Sequence, residues 1–275
     1  MANSLVKKKK TNLEVIKENI DNLITSKSNA LPKGFNQTRF VQNAMTVLLD
    51  TKGINEMNPI SVARTILKGA FLDLDFFRKE CYAIPYGKEL NFQTDYKGDI
   101  KIAKKYSIRP IREIFAKVVR EDDEFTEFCE EENQGFRFTP KAFNNKTIIG
   151  AFATVLFEDG ELLIETMSKE EIEDVRTQFS KAPNSPAWLK TPSEMYKKVV
   201  LKRLCKMIPL EFKTQEQQLS FKNADNTKFD RDYDNEIFKN DDVEIIEVSQ
   251  SDITEISDVS ESDIKEKQSL LDGVE

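Results

Sequence analysis

The chain has 275 residues, a formal net charge of −7, 39% hydrophobic and 32% charged residues, and no histidine. Lack of imidazole removes the commonest general base and metal ligand together, and neither GxGxxG nor GxxxxGK[ST] occurs to cradle a nucleotide phosphate. Nothing in these totals points first to an enzyme.

Cys81, Cys129 and Cys205 lack metal-ligand spacing and read as reduced, small core residues of a reducing compartment. The start, MANSLVKKKKTNLEV, has no signal-type apolar segment, and the longest apolar run, IIGAFATVLF at 148–157, is too short to span a bilayer. The expected location is the cytoplasm, away from membranes.

In chain order, Leu13, Ile16, Ile20, Leu23 and Ile24 give residues 12–25 a helical stripe. Residues 1–30 are read as an N-terminal helical segment that serves as an oligomer contact. SKSNALPKGFN breaks the pattern. QTRFVQNAMTVLLD and PISVARTILKGAFLDL are both helix-periodic, the second with Pro59 near its start. Two short runs around Gly87-Lys88 in ECYAIPYGKELNFQTDY predict a β-hairpin, and KGDIKIAKKYS returns to helical spacing. IREIFAKVVRE, KTIIGAFATVLFE and ELLIETMS read as strands, the last two joined through Asp159-Gly160. The acidic run Glu121–Glu124 could hold a divalent cation, but it reads more simply as a solvated turn. Ser168 and Glu171 form a capping box for KEEIEDVRTQF. Thr191, Pro192 and Glu194 open one further helix. The fold class is α+β: helices around a small antiparallel sheet with a β-hairpin.

Charge is segregated. Residues 223–275 hold 17 acidic and 5 basic residues, net −12, which leaves 31 acidic and 36 basic, net +5, for residues 1–222. The acidic end scatters its apolar residues and reads as a disordered C-terminal tail at 223–275. Ile253, Ile256 and Val259 recur every third position and are its candidate partner-binding anchors; a plain solubilising tail is the alternative.

Two basic blocks stand out within the body, taken as a core spanning 31–222. In EMYKKVVLKRLCKMIPL, Tyr196, Val200, Leu201, Leu204, Cys205, Met207 and Ile208 share one arc of the wheel. Lys198, Lys202, Arg203 and Lys206 share the other, while Lys197 falls inside the apolar arc. The cationic side requires acidic partners within the protein or an anion outside it, and only Glu194 lies close in sequence. In YKGDIKIAKKYSIRPIR, Lys97, Lys101 and Lys105 form an i, i+4 ridge. A solvated face explains either block alone; two on a basic body suit a polyanion, where each neutralised phosphate releases counterions. Tyr82, Tyr86, Phe92, Tyr96, Tyr106 and Trp188 lie beside these blocks and could stack on bases. Core packing is the simpler reading for most of them, Phe92 above all.

The stretches LPKGFNQTRFVQNAMTVLL, ECYAIPYGKELNFQTDYKGDIKIAKK, VVREDDEF and PAWLKTPSEMYKKVVLKRLCKMIP resemble, in this order, the RecT family of phage single-strand annealing proteins. The resemblance spans Leu31 to Leu210. It is most specific in the Y-[KR]-G start at Tyr96–Gly98 and in the Trp188-to-Pro209 block. It implies an ATP-independent recombinase without cofactors that binds single-stranded DNA, assembles into rings or helical filaments and pairs complementary strands into duplex. The partners implied are a phage exonuclease and, for the tail, that exonuclease or a host single-strand-binding protein.

Carried onto this sequence, the implied DNA-contact positions are Lys97, Lys101, Lys104 and Lys105, then Trp188, Lys197, Lys198, Lys202, Arg203 and Lys206. Gln93, Tyr96, Arg109 and Lys190 complete the candidate set. Phe138 stands where the family often has His, and Tyr106-Ser107 where it often has Ser-Gly. A passive single-strand binder and a metal-dependent nuclease are the competing readings; the lack of His weighs against the second.

Overall fold

Thr11 begins the first helix with a capping box: its hydroxyl accepts from the Glu14 N–H, and the Glu14 carboxylate accepts from the Thr11 N–H. The structure is a computed structural model that describes residues 10–130, 133–180, 182–224 and 237–238. Helix α1 (Asn12–Ser26) buries Val15, Ile16, Ile20, Leu23 and Ile24. The N-terminal stripe is thus part of the helical core, packed on α3. Asn36 caps α2 (Gln37–Leu49), and Asn58 with Pro59 at the first position starts α3 (Pro59–Phe71), which is buried on nearly every side.

Strands β1 (Cys81–Tyr86) and β2 (Glu89–Thr94) form the expected hairpin, turning through Gly87 at φ 62. Leu90 and Phe92 are fully buried against the helices. Asp95 caps α4 (Tyr96–Tyr106), and its backbone N–H donates to the Glu80 carbonyl. Gly98 has a steric reason: a Cβ there would sit 2.1 Å from that same carbonyl oxygen. Helix α4 bridges two cores, with Ile102 and Tyr106 in one and Ala103 in the other.

The second core is built on β3 (Ile111–Arg120), β6 (Ile148–Phe157) and β7 (Leu162–Ser168), an antiparallel sheet ordered β3-β6-β7. Alternation along β6 turns Ala151, Ala153, Val155 and Phe157 toward helix α7 (Pro192–Met207). Phe152 points to the opposite face. There it meets a hairpin that sequence reading passed over, β4 (Glu124–Glu130) and β5 (Asn133–Thr139). Phe125, Phe136 and Phe138 surround the Phe152 ring at 5.0, 5.0 and 5.1 Å. Helices α5 (Lys169–Phe179) and α6 (Pro186–Lys190) precede α7, and α8 (Gln215–Ala224) follows.

Packing runs past residue 222, where the sequence placed the end of the body. Asn223 and Ala224 are buried, and the Lys68 ammonium, itself 1% exposed, donates to Asn223 Oδ1 at 2.8 Å. Ile237 and Phe238 lie in the helical core, with the Arg64 guanidinium 5.1 Å from the Phe238 ring. No described helix is long and apolar enough to cross a membrane.

Candidate nucleic-acid interface

The α4 ridge is divided by the fold. Lys101 donates to the Asp73 carbonyl oxygen and to Glu80 Oε2 at 2.9 Å, and Lys105 pairs with Asp73 at 2.7 Å. The Glu80 side chain is only 14% exposed, so these two cations fasten α4 to the 73–80 connection. This corrects the reading of an open three-lysine ridge: among its members Lys97 alone points outward without an ion pair to a described residue.

Helix α7 sends its charges in several directions. Lys198 pairs with the nearly buried Asp95 at 2.8 Å and lies 5.9 Å from the Tyr96 ring. Arg203 pairs with Glu165 of β7 at 2.6 Å and reaches Glu171 of α5 at 3.8 Å. Lys197 pairs with Glu194 one turn back, at 2.6 Å. The acidic partners that the cationic arc required therefore come largely from distant parts of the chain. Arg109, on the connection after α4, is held by Asp159 at 2.6 Å and Glu161 at 2.8 Å, over the Phe157 ring. Of the apolar arc, Met207 is 49% exposed.

Among the described residues, Lys97, Lys104, Lys190 and Lys202 have no ion-pair partner, and all except Lys202 are exposed. Lys97 stands at the start of α4 beside Tyr96, Tyr82 and Gln93. Tyr82 is 38% exposed and its hydroxyl donates to Asp95 at 3.5 Å. Burial, then the Asp95 charge, pushes that phenol above its ordinary pKa, so it remains a donor. Gln93 pairs in register with Tyr82, and its buried Nε2 has no partner among the described residues. Asp95 thus gathers the Tyr82 hydroxyl of the hairpin, the Lys97 backbone N–H of α4 and the Lys198 ammonium of α7.

A second cationic site was not legible in the sequence. Lys117 and Arg120 of β3, Lys141 of the 140–147 loop and Lys197 of α7 line an open cleft of about 370 Å³, with Phe138 as one wall and Asp123 as its carboxylate. Lys117 Nζ lies 5.7 Å from the Phe138 ring. Arg120 is held in place by donating to the Lys146 carbonyl at 2.6 Å and to Ser193 Oγ at 3.1 Å.

The acidic turn builds this loop. Asp122 pairs with Lys141 and Lys146, and Asp123 accepts from Asn144 and from the backbone N–H groups of Lys141 and Arg120. Burial opposes ionisation of Asp123, yet those hydrogen bonds outweigh it and hold its carboxyl below the usual 3.8. The only sequence signal for the cleft was period 2 along β3, which sets Lys117 and Phe115 on the face of the unread hairpin.

Trp188 corrects the expectation of a stacking surface. The ring is 5% exposed, its Nε1 donates to Ser180 Oγ at 3.3 Å, Arg176 lies 5.4 Å from its centre and Tyr196 meets it at 6.5 Å. Its segment is the short helix α6, whose other end offers Lys190 to solvent. The Cys205 thiol is likewise internal, pushed up to about 12 by burial and then by Asp99, which keeps it protonated. Ile253, Ile256 and Val259 lie outside the described residues.

Two comparisons bear on this arrangement. The family model described as "RecT family" matches residues 38–253. The protein RecT of Escherichia coli strain K12 is 28% identical over 197 residues, which cover 68% of this chain and 71% of that protein.

Proposed function

The chain belongs to the RecT family, and from that premise we propose that it is an ATP-independent single-strand annealing protein that pairs complementary DNA strands within an oligomer, a ring or helical filament. Membership supports a role in single-strand annealing and recombination in general; the mechanism that follows is our reading of the residues.

One observation carries it. The carboxylates near the two basic helices turn to Lys101, Lys105, Lys198 and Arg203, which leaves Lys97, Lys104 and Lys190 exposed, and half-buried Lys202, without an ion-pair partner among the described residues. In this reading those four, with Lys117, Lys141 and Lys197 of the cleft and Lys206 near the end of α7, neutralise successive phosphates. Tyr96 at the start of α4 and Gln93 of β2 meet sugar and base edges. Lys101, Lys105, Arg109, Lys198, Arg203 and Trp188 hold the elements that present these groups. No step forms or breaks a covalent bond; the work is charge neutralisation and the alignment of exposed bases.

The test mixes the purified chain with two complementary oligonucleotides, without ATP. Accelerated duplex formation is expected. Protection of single strands without acceleration would favour a passive binder, and shortened strands would indicate a nuclease. A phage exonuclease and a host single-strand-binding protein are the proposed partners of the acidic end, through Ile253, Ile256 and Val259. Loss of either in a pull-down with a triple Asp variant of those residues is the expected result.

A further inference from the structure

Phe143 is 99% exposed and has a φ of 55°. It occupies the third position of a tight turn closed by the Asn144 N–H on the Lys141 carbonyl at 3.3 Å. Glycine or asparagine is the usual occupant of such a left-handed position, because a larger side chain strains the backbone there. The isolated protomer thus carries two penalties at one residue, a strained backbone and an unburied phenyl ring, and such an outlier invites a functional explanation.

The turn itself is firmly built. Asn144 Nδ2 donates to the Glu121 carbonyl at 2.7 Å and to Asp123 Oδ1 at 2.9 Å, the Lys141 N–H donates to Asp123, and the Glu121 N–H donates to the Thr147 carbonyl. The ring is therefore held out by a braced loop.

The position of the turn indicates what the ring meets. Pro140, Lys141 and Asn144, the residues around Phe143, line the cationic cleft together with Lys117, Arg120 and Lys197. Phe143 does not itself line the cleft; an aromatic ring on a turn that flanks a cationic cleft is the pairing of functions used for single strands, in which cations follow the backbone while a π-face receives a base.

We propose that Phe143 stacks on a nucleobase of the strand whose backbone runs through the Lys117–Arg120–Lys141–Lys197 cleft. The inference rests on the DNA-annealing reading above and adds to it the site and the residue. A base as the contact, rather than phosphate or sugar, follows from the side chain, which has no polar atom.

The experiment exploits the single, buried Trp188. A full-length Phe143→Trp chain places one indole at the tip of the turn. Its fluorescence is followed on addition of oligo-dT and of an abasic oligonucleotide of equal length. Quenching by oligo-dT but not by the abasic strand is expected. Phe143→Gly, which relieves the backbone, should melt above the parent, bind oligo-dT roughly 5- to 150-fold more weakly, the factor for one lost stacked base, and bind the abasic strand as the parent does.

Unchanged oligo-dT affinity in Phe143→Gly overturns the proposal. So does an indole signal that follows protein concentration without DNA, which would assign the ring to a contact with a second copy of this chain. Failure of the parent itself to bind either oligonucleotide would overturn the DNA reading, and this proposal with it. Parent binding with no effect at position 143 would sink only the proposal.

Discussion

Helices α4 and α7 look alike as strings of residues, each carrying lysines at helical spacing, yet the fold employs them differently. On α4 the inner cations are absorbed by one neighbouring connection: Asp73 and Glu80 hold Lys101 and Lys105 and leave Lys97 and Lys104 outward. On α7 they diverge, Lys198 toward α4 and Arg203 toward β7 and α5, with Lys197 in the cleft and Lys202 unpaired among the described residues. A count of cations therefore overstates the charge available to a polyanion, and burial of the partner carboxylate, not the spacing of the lysines, separates structural from accessible charge. Glu80 and Asp95, 14% and 6% exposed, fix Lys101 and Lys198 in ways an exposed partner would not.

Substitutions can break this division or sharpen it. The largest effect of any single substitution is expected at Trp188, which the sequence groups with the α7 cations and the fold groups with the core. Trp188→Ala should lose about 3–5 kcal/mol in denaturant unfolding, while Lys190→Ala beside it should not. If Trp188→Ala unfolds with the parent and loses only DNA affinity, α6 belongs to the interface and the division fails there.

Next comes the chain end. Ending the protein after Lys222 removes buried Asn223, Ala224, Ile237 and Phe238, the last two worth roughly 1.5–3 kcal/mol each. A chain ending after Asn240 should melt like the full protein, and the shorter one well below it. Equal melting temperatures would show that these residues add nothing to the helical core.

Lys101→Ala should cost about 1–3 kcal/mol, since it removes the Asp73 carbonyl's donor and leaves Glu80 with the Asp75 N–H but no cation. The salt dependence of DNA binding should keep its slope. A flattened slope in the folded variant would instead place Lys101 on phosphate.

The smallest effect on stability, and the clearest on binding, belongs to the outward set. Lys97→Ala, Lys190→Ala and Lys202→Ala combined should leave unfolding within about 0.5 kcal/mol of the parent. The log–log salt slope for single strands should fall by about 2, at ~0.7 for each lost phosphate contact. An unchanged slope removes these three from the DNA path.

The sequence by itself determined the order of α1 to α5, α7 and five of the strands, but not β4, β5, α6 or α8. Period 3.6 placed α1 to α4, α5 and α7; the capping box at Ser168 and Pro192 marked two helix starts; and the β1–β2 and β6–β7 hairpins followed from alternation around Gly87 and Asp159-Gly160. These are short-range features, set by backbone preferences and by side chains within four residues of one another. The basic blocks were visible for the same reason.

Tertiary structure alone decided which of those cations remain outward, because their carboxylates lie far along the chain: Asp95 is 103 residues from Lys198, and Asp159 is 50 from Arg109. It likewise decided that Trp188 points inward, that an acidic stretch folds into a hairpin whose phenylalanines surround Phe152, and that Lys117, Lys141 and Lys197 share a cleft. Each outcome depends on surfaces far apart in the chain that meet only in the folded protein, and a local periodic pattern carries no record of that meeting.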